Sequence, residues 1–277
     1  MSEYQTVIYE VLDSGVARVR MNRPEVRNAQ NRRLTYELND ALTKASFDDD
    51  VKVIILSGEG PHFSSGHDIR GGADDYEPVP IGISGGMGKP GTEGHFAFEE
   101  EMYLNMCRRW QQLPKPTIAQ VHGKTIAGGL MIMWVCDLIV ASDDASFIDM
   151  TVDFGVNGVE WFAHPWEFGM RKAKEMLYTG EAVTAEQAYN LGMLNHVVPG
   201  DELADFTLAL AEKIAARPSF PLKLAKLSCN QALDAQGFWT AQQSAFNLQH
   251  VGHAASRADW LARQLKDAGV KQRRPGS

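Results

Sequence analysis

Residues 121–137 read V-H-G-K-T-I-A-G-G-L-M-I-M-W-V-C-D, and no other stretch restricts the fold as much. Glycine weakens both helix and strand, so a Gly-Gly pair set against an apolar run marks a requirement of backbone geometry. The run L-M-I-M-W-V after Gly129 is long enough for a buried helix. A helix opening at the glycines leaves its first N–H groups unpaired and its positive end facing outward, which suits an oxyanion. Taken alone, the pair is as well explained by tight packing of a helix on a strand. A second glycine phrase, F-S-S-G-H-D-I, precedes it at residues 63–69.

Around these phrases the apolar residues switch between strand and helix spacing. Residues 7–12 and 16–21 flank D-S-G and predict a hairpin. Asn22-Arg23-Pro24 turns the chain into residues 33–46, where Leu34, Leu38, Leu42 and Ala45 recur at helical spacing. Residues 52–57 form a short apolar strand of the kind buried on both faces. Strand spacing returns at 116–123 and 138–142. Between them and the first strands, residues 96–113 carry Phe98, Met102, Met106, Cys107 and Trp110 on one helical face, which reads as core rather than a cofactor box.

Residues 71–94 are dense in Gly and Pro and predict a mobile loop. Its Gly82-Ile83-Ser84-Gly85-Gly86 matches G-x-S-x-G by chance, since that motif needs a strand before it and a helix after it. Thr184 with Glu186 and Gln187 marks a helix start. From Gly200 the pattern is helical, over 201–216, 222–236 and 238–269, with a frayed tail K-Q-R-R-P-G-S. The β-β-α rhythm is that of an α/β protein, and a doubly wound sheet would also satisfy it.

A chain of 277 residues can bury a large core as one domain, or one with an appendage. Its 44% hydrophobic and 22% charged residues are those of a soluble globular protein. A net charge of −8 argues against nucleic acid as the main partner, because neutralising phosphates takes clustered Lys and Arg. Cys107, Cys136 and Cys229, none in a C-x-x-C pair, fit a reducing compartment and no metal framework. Neither a signal peptide nor an apolar stretch of membrane-spanning length is seen, so the cytoplasm is expected.

Five pieces follow one another in order: N-R-P-E-V-R-N-A-Q-N at 22–31, F-S-S-G-H-D-I-R at 63–70, I-A-G-G at 126–129, C-D-L-I-V-A-S-D-D-A-S-F at 136–147, and Y-T-G-E-A-V-T-A-E-Q-A-Y-N-L-G-M-L-N-H-V-V-P at 178–199. Together they resemble the crotonases, the superfamily of enoyl-CoA hydratases and isomerases. The resemblance implies an α/β fold with a crotonase-like ββα spiral core over residues 1–200, which holds the CoA and acyl site. It implies a C-terminal helical trimerisation region over 201–277, giving a homotrimer or a dimer of trimers. The substrate it implies is an acyl-CoA, with coenzyme A part of the substrate rather than a separate cofactor. No metal, nucleic acid or membrane is expected.

By the same match, the backbone N–H groups of His67 and Gly128 form an oxyanion hole for the thioester carbonyl. That oxygen gains negative charge when the α-carbon loses a proton or the β-carbon is attacked. The family commonly has a small residue at the place of His67; only its backbone is needed, and its side chain is expected to face solvent or a CoA phosphate. Hydratases of the family use two glutamates, and those positions here carry Met131 and Thr151, neither a useful base.

The substitutes for proton transfer are Glu160, His164 and Asp149. Glu160 stands among Val159, Trp161 and Phe162, and an apolar setting raises a carboxyl pKa. A salt bridge or a helix N-terminal carboxylate explains it as well. His164 precedes Pro165, so it is expected to be extended and able to pair with Glu160. Asp149 and Asp153 also read as turn residues, and Asp137 as structural.

For CoA binding the resemblance points to Arg27, Asp68, Ile69 and Arg70, with the two guanidinium forks on phosphate oxygens. Plain surface arginines are the alternative. Lys223 and Lys226 would approach the pyrophosphate from the C-terminal helices. The expected activity is acyl- or enoyl-CoA processing of the hydratase/isomerase type. The alternatives are a crotonase-fold CoA-thioester hydrolase or C–C lyase using Glu160, and a non-catalytic acyl-CoA-binding protein.

Overall fold

The D-S-G turn brings β1 (Val7–Val11) and β2 (Val16–Met21) together as the expected antiparallel hairpin, with Val7 opposite Met21. The computed structural model describes residues 4–69, 76–77, 79–82 and 85–267, the last ten of these by backbone only. Beside β2 lies β3 (Val53–Gly58), whose first five residues are buried, as a continuous apolar run requires. The sheet continues through β4 (Thr117–Val121), β6 (Leu138–Ser142) and β9 (His196–Val198), each parallel to its neighbour.

A second sheet holds β5 (Lys124–Ile126), β7 (Ser146–Ile148) and β8 (Val183–Thr184). Consecutive strands therefore fall in different sheets: β4 in the first and β5 in the second, then β6 in the first and β7 in the second. With a helix between successive pairs, this is the ββα repeat of the crotonase core. A doubly wound fold, which keeps its strands in one open sheet, is excluded.

The large sheet is covered on both faces with the period of two that strands impose. One set, with Val19, Met21, Ile54, Leu56, Ala119 and Val121, packs under α1 (Arg32–Phe47) and α4 (Gly128–Trp134). The alternate set, Val16, Val53, Ile55, Ile118 and Val140, packs against Leu203, Ala211 and Ala215 of α7 (Leu203–Ala215). Helix α1 starts where Asn31 accepts the Leu34 N–H at 2.9 Å. It buries Leu34, Leu38, Leu42 and Ala45, the residues whose spacing predicted it.

The apolar face at 96–113 is one continuous helical stretch: α2 (Gly91–Glu99), a wider π turn (Glu100–Asn105) and α3 (Met106–Gln111). Met102, Met106, Cys107 and Trp110 are buried in the core, so that face is packing. The loop predicted to run to residue 94 gives way to α2 at Gly91. Glu101, in the π turn, accepts the backbone N–H groups of Ile81 and Gly82 at 2.6 Å each and ties the end of that loop down. Ile83 and Ser84 of the chance G-x-S-x-G match lie outside the described residues.

After α5 (His164–Thr179), Thr184 and Gln187 form the anticipated reciprocal cap on α6 (Ala185–Asn190). The chain ends in α8 (Ser219–Ala235) and α9 (Phe238–Asp267). Asp137 is structural, as expected: its Oδ2 accepts the Thr117 N–H at 2.8 Å and lies 2.8 Å from Lys226 Nζ. Lys226 also donates to the Lys115 carbonyl at 3.1 Å. It is therefore a buried counter-ion that joins α8 to the sheet, not a pyrophosphate contact, whereas Lys223 is exposed. Among the described residues no helix is long and apolar enough to cross a membrane.

Candidate active site

Two residues with left-handed φ shape the backbone at the site. Ala127 follows β5 with φ 45° and ψ −115°, an unusual conformation for a residue with a side chain, and α4 begins immediately after it. Gly66, at φ 87°, precedes His67. The Gln30 N–H bonds to Gly66 O at 2.8 Å and the Asp68 N–H to Gln30 O at 3.0 Å, so this pairing steps over the His67 amide. Among the described residues neither the His67 N–H nor the Gly128 N–H donates to a backbone carbonyl.

The two segments touch. A Cβ on Gly66 would lie 2.7 Å from Ile126 O and 3.2 Å from Gly128 N, and one on Gly128 would run into the His67 ring. Glycine at these positions is thus a condition for the two amides to sit side by side. Segments 65–69 and 126–127 form one wall of a cavity of 540 Å³. The rest of the lining comes from Phe98, Glu99 and Tyr103, from the loop after β7, and from Gln249 and His253 of α9.

The His67 side chain lines this cavity and keeps about a fifth of its surface exposed. Its ring stacks on Tyr103, centroids 3.8 Å apart and planes 9° apart, in the space that a side chain on Gly128 would fill. Its Nε2 stands 3.6 Å from Glu160 Oε2. Glu160 is 2% exposed, and its Oε1 accepts from Gln249 Nε2 at 2.9 Å. It is therefore neither a surface salt bridge nor a helix cap. Burial, reinforced by the nearby charge of Glu99, pushes the Glu160 carboxyl well above the usual carboxylate range. Burial lowers His67 to about 4. At neutral pH the His67 ring is therefore neutral beside a carboxyl that holds its proton more tightly than an ordinary glutamate.

His164 and Asp149 do not join them. His164 opens α5 instead of being extended, since proline is tolerated in the first helical turn. Its Nε2 lies 2.7 Å from Asp149 Oδ2, and both side chains are fully buried away from the cavity. Asp149 Oδ1 accepts the Thr151 N–H at 2.9 Å and the Thr151 hydroxyl at 2.6 Å, while Oδ2 accepts the Val159 N–H at 3.3 Å. The pair clasps the two ends of the loop that presents Glu160. Thr151 lines the cavity with its hydroxyl committed to Asp149, and Met131 is buried in α4 outside it.

Of the residues assigned to CoA, Asp68 is the counter-ion of Arg23 at 3.0 Å, and its negative charge would repel a phosphate. Arg23 also holds the Ala29 carbonyl, which fixes the turn before α1. Ile69 is 80% exposed at the cavity rim, and Arg70 lies outside the described residues. Arg27 is exposed; together with Lys124 and His122 it helps lower the pKa of His62, after burial, so positive charge gathers on this side.

The sequence reading missed His95, Glu99, Tyr103, Gln249, His250 and His253. Glu99 Oε1 lies 3.1 Å from His95 Nε2, and Oε2 lies 3.1 Å from His250 Nε2 and 3.4 Å from His253 Nε2. Burial would raise the Glu99 carboxyl, but His253 and His95 outweigh it and hold it at about 2. The only local signal was helical spacing within each pair, His95 with Glu99 and His250 with His253.

Comparison with known proteins agrees with this geometry. A family model described as enoyl-CoA hydratase/isomerase matches residues 12–81 and 83–264. The chain belongs to the enoyl-CoA hydratase/isomerase family. Within it, the chain is 43% identical over 261 residues to EchA13 of Mycobacterium tuberculosis, a protein named provisionally as an enoyl-CoA hydratase; the match covers 91% of this chain and 82% of that one. It is 31% identical over 207 residues to 4-chlorobenzoyl coenzyme A dehalogenase-2 of Arthrobacter sp, covering 74% and 71%. A crystal structure from Mycobacterium smegmatis, also provisionally named an enoyl-CoA hydratase, shares 46% identity with a TM-score of 0.83 over 92% of this chain and 97% of that one. The enoyl-CoA hydratase/isomerase fold is thus the fold of this protein.

The loop clasp has a pH signature. Burial would raise the Asp149 carboxyl, but His164 and Thr151 outweigh it and hold it below the usual range. Its contribution to stability is complete above the ordinary aspartate pKa of about 3.9 and is lost as pH falls towards the folded value. Asp149→Asn should lower unfolding free energy by about 3–5 kcal/mol at neutral pH, because it strips a buried partner from His164. In urea titrations its loss of stability with acid should also be shallower than that of the wild type. Parallel acid limbs would contradict this role.

Proposed function

We propose that this enoyl-CoA hydratase/isomerase family member moves a proton on an acyl- or enoyl-CoA thioester. The carbonyl oxygen would lie between the N–H groups of His67 and Gly128, with Glu160 as the proton-transfer group. What carries the reading is the conjunction of two adjacent main-chain amides, neither donating to a backbone carbonyl among the described residues, with a buried carboxyl of raised pKa on the cavity that His67 lines. Amides held by the fold need no reorganisation when charge develops on the oxygen, and one such donor is worth about 2.7–4 kcal/mol in the transition state.

Charge held on that oxygen makes the α-proton of the thioester more acidic. Glu160, with its pKa raised, is suited both to give a proton to carbon and to take one back. Glu160 itself carries the proton between these events, because the neighbouring His67, lowered to about 4, is too weak a base to keep it. Shifting a double bond needs one exchangeable group, whereas adding water needs a second group to activate the water. Met131 is remote from the cavity and the Thr151 hydroxyl is already bonded, which favours the shift over hydration. Exposed Arg27 and its basic surroundings suit a CoA phosphate.

The helical end of the chain supports the oligomer implied by the family. Phe220, Leu224 and Leu227 form an exposed apolar stripe on α8, and Leu248 and Val251 are exposed on α9. We assign these faces to contacts between subunits of a trimer or dimer of trimers. Sedimentation velocity should give the mass of three or six chains, and a monomer would remove this assignment. The three free thiols fit a reducing compartment such as the cytoplasm.

For the chemistry, α-proton exchange into an acyl-CoA in D2O and isomerisation of a 3-enoyl-CoA are the readouts. Glu160→Gln should slow both by roughly 10²–10⁴-fold while thioester affinity is retained. Both readouts begin with removal of the α-proton, which takes the ionised carboxyl, so wild-type rates should rise with pH until Glu160, held above the usual carboxylate range, is deprotonated. Thioester binding with no exchange in the wild type would favour a non-catalytic binder, and a fully active Glu160→Gln would exclude this proton route.

A further inference from the structure

We propose that His95, Glu99 and His253 bind a divalent transition-metal ion of the zinc class at the edge of the acyl cavity. Helix α2 presents His95 and Glu99 one turn apart, and α9 brings His253 across to them. One ligand atom from each of the three lies within 4.8 Å of the others. The His95 Nε2 to Glu99 Oε1 distance is 3.1 Å and the His253 Nε2 to Glu99 Oε2 distance is 3.4 Å. A tetrahedral ion with ligand bonds of about 2.0–2.1 Å spaces its ligands by about 3.3 Å. The side chains already stand near that spacing.

Hydrogen bonding inside the cluster does not account for it. Glu99 Oε2, His253 Nε2 and both ring nitrogens of His250 are shielded from solvent and have no aligned hydrogen-bond partner among the described residues. Buried polar atoms are nearly always paired. Several that converge on one point without satisfying each other are the arrangement a central cation would satisfy. His250 Nε2, 3.1 Å from Glu99 Oε2, is placed to orient the carboxylate, as groups behind metal ligands do.

The donor set selects the ion. Two imidazoles and one carboxylate suit zinc and its first-row neighbours, whereas magnesium and calcium favour oxygen donors. Three protein ligands leave a fourth position, the pattern of zinc sites that take a water or a substrate atom. All three residues line the same cavity as His67 and Glu160. The fourth position would therefore accept water or an oxygen atom of the acyl group, a hydroxyl or a carboxylate. The ion site stands on its own geometry, whether or not the proton chemistry is as proposed.

The test uses the untagged full-length chain, stripped with a chelator and titrated with Co²⁺, then with Zn²⁺ in competition. The expected result is one equivalent of Co²⁺ with an intense visible band of low coordination number, displaced by Zn²⁺. His253→Ala and His95→Ala, each on a half-exposed ring, should weaken binding at least about tenfold, and His250→Ala by about 10–100-fold. Far-UV circular dichroism reports whether each variant is folded. Absence of the band in the wild type would overturn the proposal, as would several weak equivalents that persist in folded His253→Ala.

Discussion

The N–H groups of Ser65, Ile126 and Ala127 are engaged by backbone carbonyls, and among the described residues those of His67 and Gly128, which follow Gly66 and Ala127, are not. Ile126 N–H bonds to Ser64 O at 3.0 Å, Ala127 N–H to Ile148 O at 2.8 Å, and Gln30 N–H to Gly66 O at 2.8 Å. These bonds fix both segments, while the left-handed residues redirect the chain so that the next amide leaves the ladder. A left-handed Ala costs of order 1–3 kcal/mol and persists only where its surroundings enforce it. Here β7 and the buried helix α4 enforce it. The proposed oxyanion hole, the inward turn of His67 and the place where α4 begins all follow from this one backbone constraint.

The proton chemistry depends on a second constraint, the loop between β7 and α5. Asp149 holds its start through Thr151 and its end through Val159, and His164 holds Asp149. Glu160 follows directly and is delivered to the cavity, where Gln249 of α9 takes one carboxylate oxygen and His67 stands by the other. Burial and a neighbouring charged Glu99 keep its pKa above the usual carboxylate range, with one neutral amide as its partner. Helix α9 thus reaches the site twice, through Gln249 to Glu160 and through His250 and His253 to Glu99. It is part of the cavity, besides exposing apolar residues assigned to contacts between subunits.

Much of the frame was legible because its signals are local. Alternation gave β1 and β2, the 34-38-42-45 spacing gave α1, and Thr184 with Gln187 gave the start of α6. The second sheet was not legible, since β5, β7 and β8 have only two or three residues and carry no period. The paired amides could be read because glycine leaves a mark wherever backbone must approach backbone. Glu160 could be read from its apolar neighbours. The direction of the His67 ring could not, because it depends on Tyr103 and on the missing side chain of Gly128, both distant in sequence. The X-Pro rule misplaced His164 because it ignores that a helix tolerates proline in its first turn. Asp68, assigned to CoA binding, is the counter-ion of Arg23, a pairing that spans 45 residues and leaves no local mark. The histidine cluster was hidden in two short pairs that only the fold brings together.

The central claim is that two backbone N–H groups share one thioester oxygen. A crystal structure of the protein with a slowly turned-over acyl-CoA tests it most directly. The carbonyl oxygen should lie about 2.7–3.1 Å from both His67 N and Gly128 N, with Glu160 facing the acyl carbons. An ordered thioester whose oxygen meets neither amide, or only one of them, would contradict the account.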